Sequence, residues 1–125
     1  MGYRSDVSIV FYTTSTEKLP FVAIKLWFDE NYPHQTATEH WDAKVDCGDD
    51  YVLVTYNAVK WYEEYEHVIT VDAAVKLFTD TFECNEDGAA HWETVRVGER
   101  WDDIEEGRSN YTNYRLGVRS EITFD

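Results

Sequence analysis

Between Asp6 and Thr13 the side chains alternate, with Val7, Ile9 and Phe11 on one side and Ser8, Val10 and Tyr12 on the other. This two-residue period predicts a β-strand with one fully apolar face and one mixed face. The period then changes. Leu19, Val22, Ala23, Leu26 and Trp27 recur three and four residues apart, up to Tyr32, as in the apolar stripe of an amphipathic helix. Ser15 or Thr16 can cap it, and Pro20 is confined to its first turns, where a missing N–H costs least.

Pro33–Asp42 has no periodicity and reads as a surface connection. Ala43–Cys47 and Tyr51–Trp61 flank Gly48-Asp49-Asp50, a turn-forming cluster, and predict a hairpin whose second strand is the longer. Helical spacing returns over Tyr65–Phe82, with Val68, Val71, Val75, Phe78 and Phe82 on one stripe, and stops in Glu83–Gly88. His91–Gly98 alternates Trp92, Thr94 and Arg96 against Glu93, Val95 and Val97, and Tyr111–Phe124 alternates more loosely. Both predict strands. The order β-α-β-β-α-β-β matches a single α+β domain over residues 1–125 of ferredoxin-like type, with an extra C-terminal strand and two helices on one face of an antiparallel sheet.

Composition supports a folded chain: 43% of residues are hydrophobic and 16% aromatic, enough apolar surface to offset chain entropy. No stretch reaches the ~20 apolar residues that span a bilayer, and the N-terminus has no signal-peptide pattern. A soluble, intracellular protein is expected. Cys47 and Cys84 lie outside any CxxC or metal-ligand spacing and read as reduced thiols.

Charge changes the picture most. Twenty-five acidic residues against 11 basic ones give −14 at neutral pH, a surface that repels phosphates and anionic membrane. Direct nucleic-acid binding is therefore not expected. Asp29–Asp50, Trp61–Asp87 and Glu99–Glu106 are each strongly net negative, whereas Gly107–Asp125 has three Arg against two acids. Solvated faces that keep a small protein soluble would explain this distribution. So would carboxylates that stand in for duplex phosphates on the DNA-binding cleft of another protein.

Met1-Gly2-Tyr3-Arg4-Ser5-Asp6-Val7 ahead of an apolar strand, Val59-Lys60-Trp61-Tyr62 leading into a helix, and Val95-Arg96-Val97-Gly98-Glu99 before an acidic loop together resemble a group of small acidic proteins of tailed bacteriophages. The resemblance implies expression in a host bacterial cytoplasm and an accessory, host-directed role. It carries over no catalytic residues.

Two segments concentrate aromatic and acidic side chains. Trp61, Tyr62, Glu63, Glu64, Tyr65 and Glu66 sit at a strand-to-helix junction, and Glu99, Trp101, Asp102, Asp103, Glu105 and Glu106 in a predicted loop. Aromatic anchors within a charged rim suit a protein-binding patch. The same rings could instead fill the edge of the core while the acids face water. Tyr3-Arg4-Ser5-Asp6 could be a functional motif or a structural lock in which Arg4 pairs with a carboxylate.

For chemistry the sequence offers less. Asp49 with Asp50, or Glu99 with Asp102 and Asp103, could supply oxygen ligands to Mg²⁺ or Ca²⁺, but neither stretch is an EF-hand. His34, His40, His67 and His91 are too scattered for a zinc motif, and no phosphate loop or nucleophile elbow occurs. No cofactor is called for. The expected function is that of a non-enzymatic acidic phage protein that binds and inhibits a bacterial host or defence protein with a basic, nucleic-acid-binding surface. A small metal-dependent enzyme acting on nucleotides or nucleic acid is the alternative. Self-repulsion predicts a monomer or a weak homodimer.

Overall fold

A computed structural model describes residues 3–31, 44–59, 61–62, 66–82, 89–100, 102–109, 115–118 and 122–124, without the side chains of residues 66, 67 and 70. The connection Pro33–Asp42, the stop Glu83–Gly88 and the start of Tyr111–Phe124 lie outside them.

The chain builds a mixed α+β fold. β1 (Ser5–Thr13) leads into α1 (Lys18–Asn31), then β2 (Lys44–Cys47), β3 (Tyr51–Val59), α2 (Glu66–Thr81), β4 (Ala90–Gly98), β5 (Ile104–Arg108), β6 (Leu116–Val118) and β7 (Ile122–Phe124). The main sheet runs β2-β3-β1-β4-β5, and every neighbouring pair is antiparallel. β1 lies at its centre and is buried on both faces, apart from Asp6.

Val7, Ile9 and Phe11 join Val52, Val54 and Tyr56 of β3 in a core closed by both helices on the same face. Its centre is aromatic. Phe11 lies 5.3 Å from Trp27 and 4.9 Å from Phe78, ring centre to ring centre, and the last two are 5.0 Å apart. Tilted and edge-on pairs of this kind add to the area they bury. The opposite face, with Val10, Tyr12 and Val95, is covered by β6 and β7, which supply Leu116, Val118, Ile122 and Phe124. Two apolar faces explain why β1 alternates only weakly.

Several expectations need correction. The extra C-terminal strand is two short strands that pair only with each other, and they lie over the sheet rather than extending it. The strand added to the main sheet is β5, within a stretch expected to be loop. The second hairpin strand ends at Val59, two residues short of Trp61. On α1 the buried residues are Ile24, Trp27 and Phe28, while Leu19, Val22, Ala23 and Leu26 face outward. The aromatic rings take the interior because they fill the volume over Phe11 that the aliphatic stripe would leave open. The α2 stripe is as expected: Val68, Val71 and Phe78 are buried, and Val75 and Phe82 pack against the core.

Gly48-Asp49-Asp50 forms the predicted β2–β3 turn, closed by the Gly48 N–H donating to the Tyr51 carbonyl at 3.0 Å. Cys47, at its edge, is free and exposed. Ahead of α1, the Thr13 hydroxyl accepts the Ser15 N–H and the Ser15 hydroxyl accepts that of Glu17.

Candidate partner-binding surface

The pairing of β1 with β3 slips between Ser5 and Val7, so Asn57 and Ala58 together oppose Asp6. Ala58 is left with φ 52°, a left-handed conformation that costs an L-residue about 1 kcal/mol or more. The tetrapeptide Tyr3-Arg4-Ser5-Asp6, which runs into the start of β1, holds it there. Asp6 accepts the Ala58 N–H at 2.8 Å, and Arg4 donates to the Ala58 carbonyl at 2.9 Å. Arg4 thus bonds a carbonyl, not the carboxylate expected from the sequence.

The ion pair of the lock belongs to Arg96 on β4. Its guanidinium donates to Asp103 through both terminal nitrogens (2.7 and 3.2 Å), to Glu105 (2.6 Å) and to Ser5 (3.0 Å). Tyr3 completes the arrangement: its hydroxyl donates to Asp103 at 2.7 Å and accepts the Arg100 N–H at 2.9 Å. The Arg96 hydrogen bonds, and secondarily that of Tyr3, lower the Asp103 pKa to about 2. A side chain at Gly98 would collide with the Asp103 carboxylate and the Tyr3 hydroxyl, so glycine is required for this close approach. Asp103 was expected among the solvated acids. The structure makes it part of the scaffold, because a guanidinium fork binds a carboxylate best in such a shared, half-buried geometry.

This lock brings the two nominated segments together. The Tyr62 hydroxyl accepts the Tyr3 N–H at 2.7 Å, and Glu99 accepts the Arg4 N–H at 3.1 Å. Trp61 packs half-buried, 5.5 Å from the Tyr56 ring, at the edge of the core. It also lines a groove of about 170 Å³ with Asp72, Arg96, Glu105 and Glu106. Glu105 and Asp102 remain 74% and 59% exposed. Glu63, Glu64, Tyr65, Trp101 and the Glu66 side chain lie outside the described residues.

About 25 Å away, at the other end of β1, a larger cleft of about 1160 Å³ is lined by Thr13–Thr16, Phe21, Asp49, Asp50, Tyr51 and Arg115, among others. Arg115 bonds Asp50 at 3.2 Å and lies over the rings of Tyr12, Tyr51 and Phe124. Of the acids considered as metal ligands, Asp50 thus faces Arg115, while Glu99 and Asp103 are held in the lock. Among the described residues, no three His, Cys, Asp or Glu side chains gather as a metal site.

Sequence reasoning missed the buried polar group behind the cleft. Glu93 is fully buried and accepts the N–H groups of Arg115 and Leu116 at 2.9–3.0 Å. Arg108, also buried, lies 3.6 Å from Glu93 and donates to the Leu116 carbonyl. Burial, followed by the bond to Glu93, pushes the Tyr12 phenol well above its usual range. The available signal was Glu93 in register with Val95 and Val97, an acid on an apolar face.

Comparison with protein-family models, curated proteins and solved structures gives no match. Among the described residues, no helix is long and apolar enough to cross a membrane.

Proposed function

We propose that this chain is a non-enzymatic, acidic interaction protein that occupies the basic, nucleic-acid-binding surface of a bacterial protein. The observation that carries this reading is the direction of its charges. Arg108, Arg96 and Arg115 point inward, with side chains only 2, 12 and 22% exposed; Glu93 and Asp103 are held inside with them, while their further partners Glu105, Glu106 and Asp50 reach outward. Glu106 and Asp50 are 43% and 49% exposed. The outer surface is therefore more negative than the composition alone implies, and positive charge is spent on holding the fold. Tyr62, Trp61, Asp102, Glu105 and Glu106 supply rings and carboxylates at one end of the sheet, the composition of an anchored, charge-steered contact. The phage resemblance provides the setting, a host cytoplasm in which blocking a nucleic-acid enzyme is useful.

For the fold itself, we infer that β1 through β4 with the two helices form a ferredoxin-like unit. The order β2-β3-β1-β4 with antiparallel pairing supports this, and β5 and the β6–β7 hairpin are then additions.

Affinity capture from a bacterial lysate tests the function. The expected partner is a nucleic-acid-binding protein whose complex weakens with salt and is displaced by duplex DNA. Reversing Asp102, which is exposed and faces the exposed Arg100 at 3.9 Å, should slow association without lowering the melting temperature. Salt-insensitive capture of a partner unaffected by DNA would overturn the proposal.

A further inference from the structure

α1 is apolar on two sides. Ile24, Trp27 and Phe28 bury against the sheet, yet Leu19, Val22 and Leu26 stand 78, 47 and 57% exposed on the outer face, with exposed Ala23 among them. Ile69, Ala73 and Leu77 on α2 are exposed too, but they form a single line of one residue per turn with two large side chains, narrower than the α1 stripe. A contiguous aliphatic stripe on so acidic a molecule marks a contact surface.

The stripe is self-complementary. A two-fold axis through the midpoint of Val22 and Ala23 sets Leu19 against Leu26 of a second copy, and Val22 against its Ala23. These smaller central residues let two helix axes approach to about 8–10 Å. The same rotation carries exposed Glu30, one turn beyond Leu26, to the N-terminal end of the other α1. There the first-turn N–H groups and exposed Lys18 present positive charge. Helical side chains lean toward the N-terminus of their own helix, so Glu30 and Lys18 of opposing copies lean toward each other.

We propose that α1 is the contact helix of a weak, symmetric homodimer, packed antiparallel on the α1 of a second copy. A helix about 21 Å long buries less than the ~1,200 Å² of a stable interface, so the dimer dissociates readily on dilution. Each copy carries −14, so association strengthens as salt screens the repulsion. This salt response is opposite in sign to that of the basic-partner complex, and neither proposal depends on the other.

Sedimentation of the full chain over a wide concentration range, at low and at physiological salt, tests the dimer. The expected result is a monomer–dimer equilibrium that tightens with salt. Leu26→Glu should weaken it about tenfold or more at an unchanged melting temperature, since that side chain faces water in the monomer. Glu30→Lys should weaken it and Glu30→Lys with Lys18→Glu restore it. With Cys47 and Cys84 replaced by Ser, Ala23→Cys should cross-link to itself under oxidation faster than Lys76→Cys on α2. A monomer at every concentration and salt, a dimer indifferent to Leu26→Glu, or equal cross-linking at the two positions would overturn the proposal.

Discussion

Arg96 serves Ser5, Asp103 and Glu105 with one guanidinium, so the start of β1 and the β4–β5 connection share one partner. Replacing it with Leu removes the charge and leaves the Asp103 carboxylate, among the described residues, with the Tyr3 hydroxyl as its side-chain hydrogen-bond donor. A loss of about 2–4 kcal/mol is expected in denaturant titrations. A loss below about 0.5 kcal/mol would mean that the acids around it are solvated independently. Asp103 sets a pH dependence as well. Its folded pKa, about 2, lies below the ordinary carboxylate value, so its stabilising contribution is complete above about pH 4 and is lost as pH falls toward 2. Asp103→Asn should therefore be less stable at neutral pH, and its stability should fall less steeply than the parent's over that acid range. Equal slopes would show that Asp103 does not carry the acid response.

The β6–β7 hairpin pairs only with itself, and a two-stranded unit of this size has little stability alone. It is held by apolar contact with the outer sheet face and by Glu93, whose carboxylate takes the N–H groups of Arg115 and Leu116. Arg108 reinforces this from the neighbouring strand by bonding the Leu116 carbonyl. Glu93→Leu would leave those N–H groups without their acceptor and the buried Arg108 guanidinium without its buried counter-charge, at a cost of about 3 kcal/mol or more. Amide exchange should then accelerate most in Leu116–Val118 and Ile122–Phe124, and least in β1. If the hairpin amides keep the parent's protection, apolar contact alone anchors it.

Across the whole molecule, a net charge of −14 sets a self-repulsion that no single pair relieves. Raising ionic strength from low to physiological should increase the melting temperature by about 2–5 °C, because distant like charges are screened while the half-buried pairs of Arg96 and Arg108 are not. A melting temperature that falls with salt would show that the exposed ion pairs outweigh the net repulsion. The same net charge underlies both proposed contacts: attraction to a basic surface, and a homodimer that tightens as salt lets two acidic bodies approach.

Local periodicity was enough to place β1, both helices, the Gly48–Asp50 turn and β4, because spacings of two and near four residues report which side chains share a face. It could not say which of two apolar faces of α1 is buried. That choice belongs to Phe11 and Phe78, rings from distant segments whose packing admits Trp27 and excludes Leu26. The aromatic and acidic segments around Trp61 and Asp103 were visible as composition, but their meeting depends on Tyr3, which bonds Tyr62 with its amide and Asp103 with its hydroxyl. Likewise an acid at position 93 looks like any other charge until the hairpin closes over it. Burial, and with it the difference between a surface carboxylate and a structural one, arises from contacts between segments far apart in the chain, and only the tertiary structure brings them together.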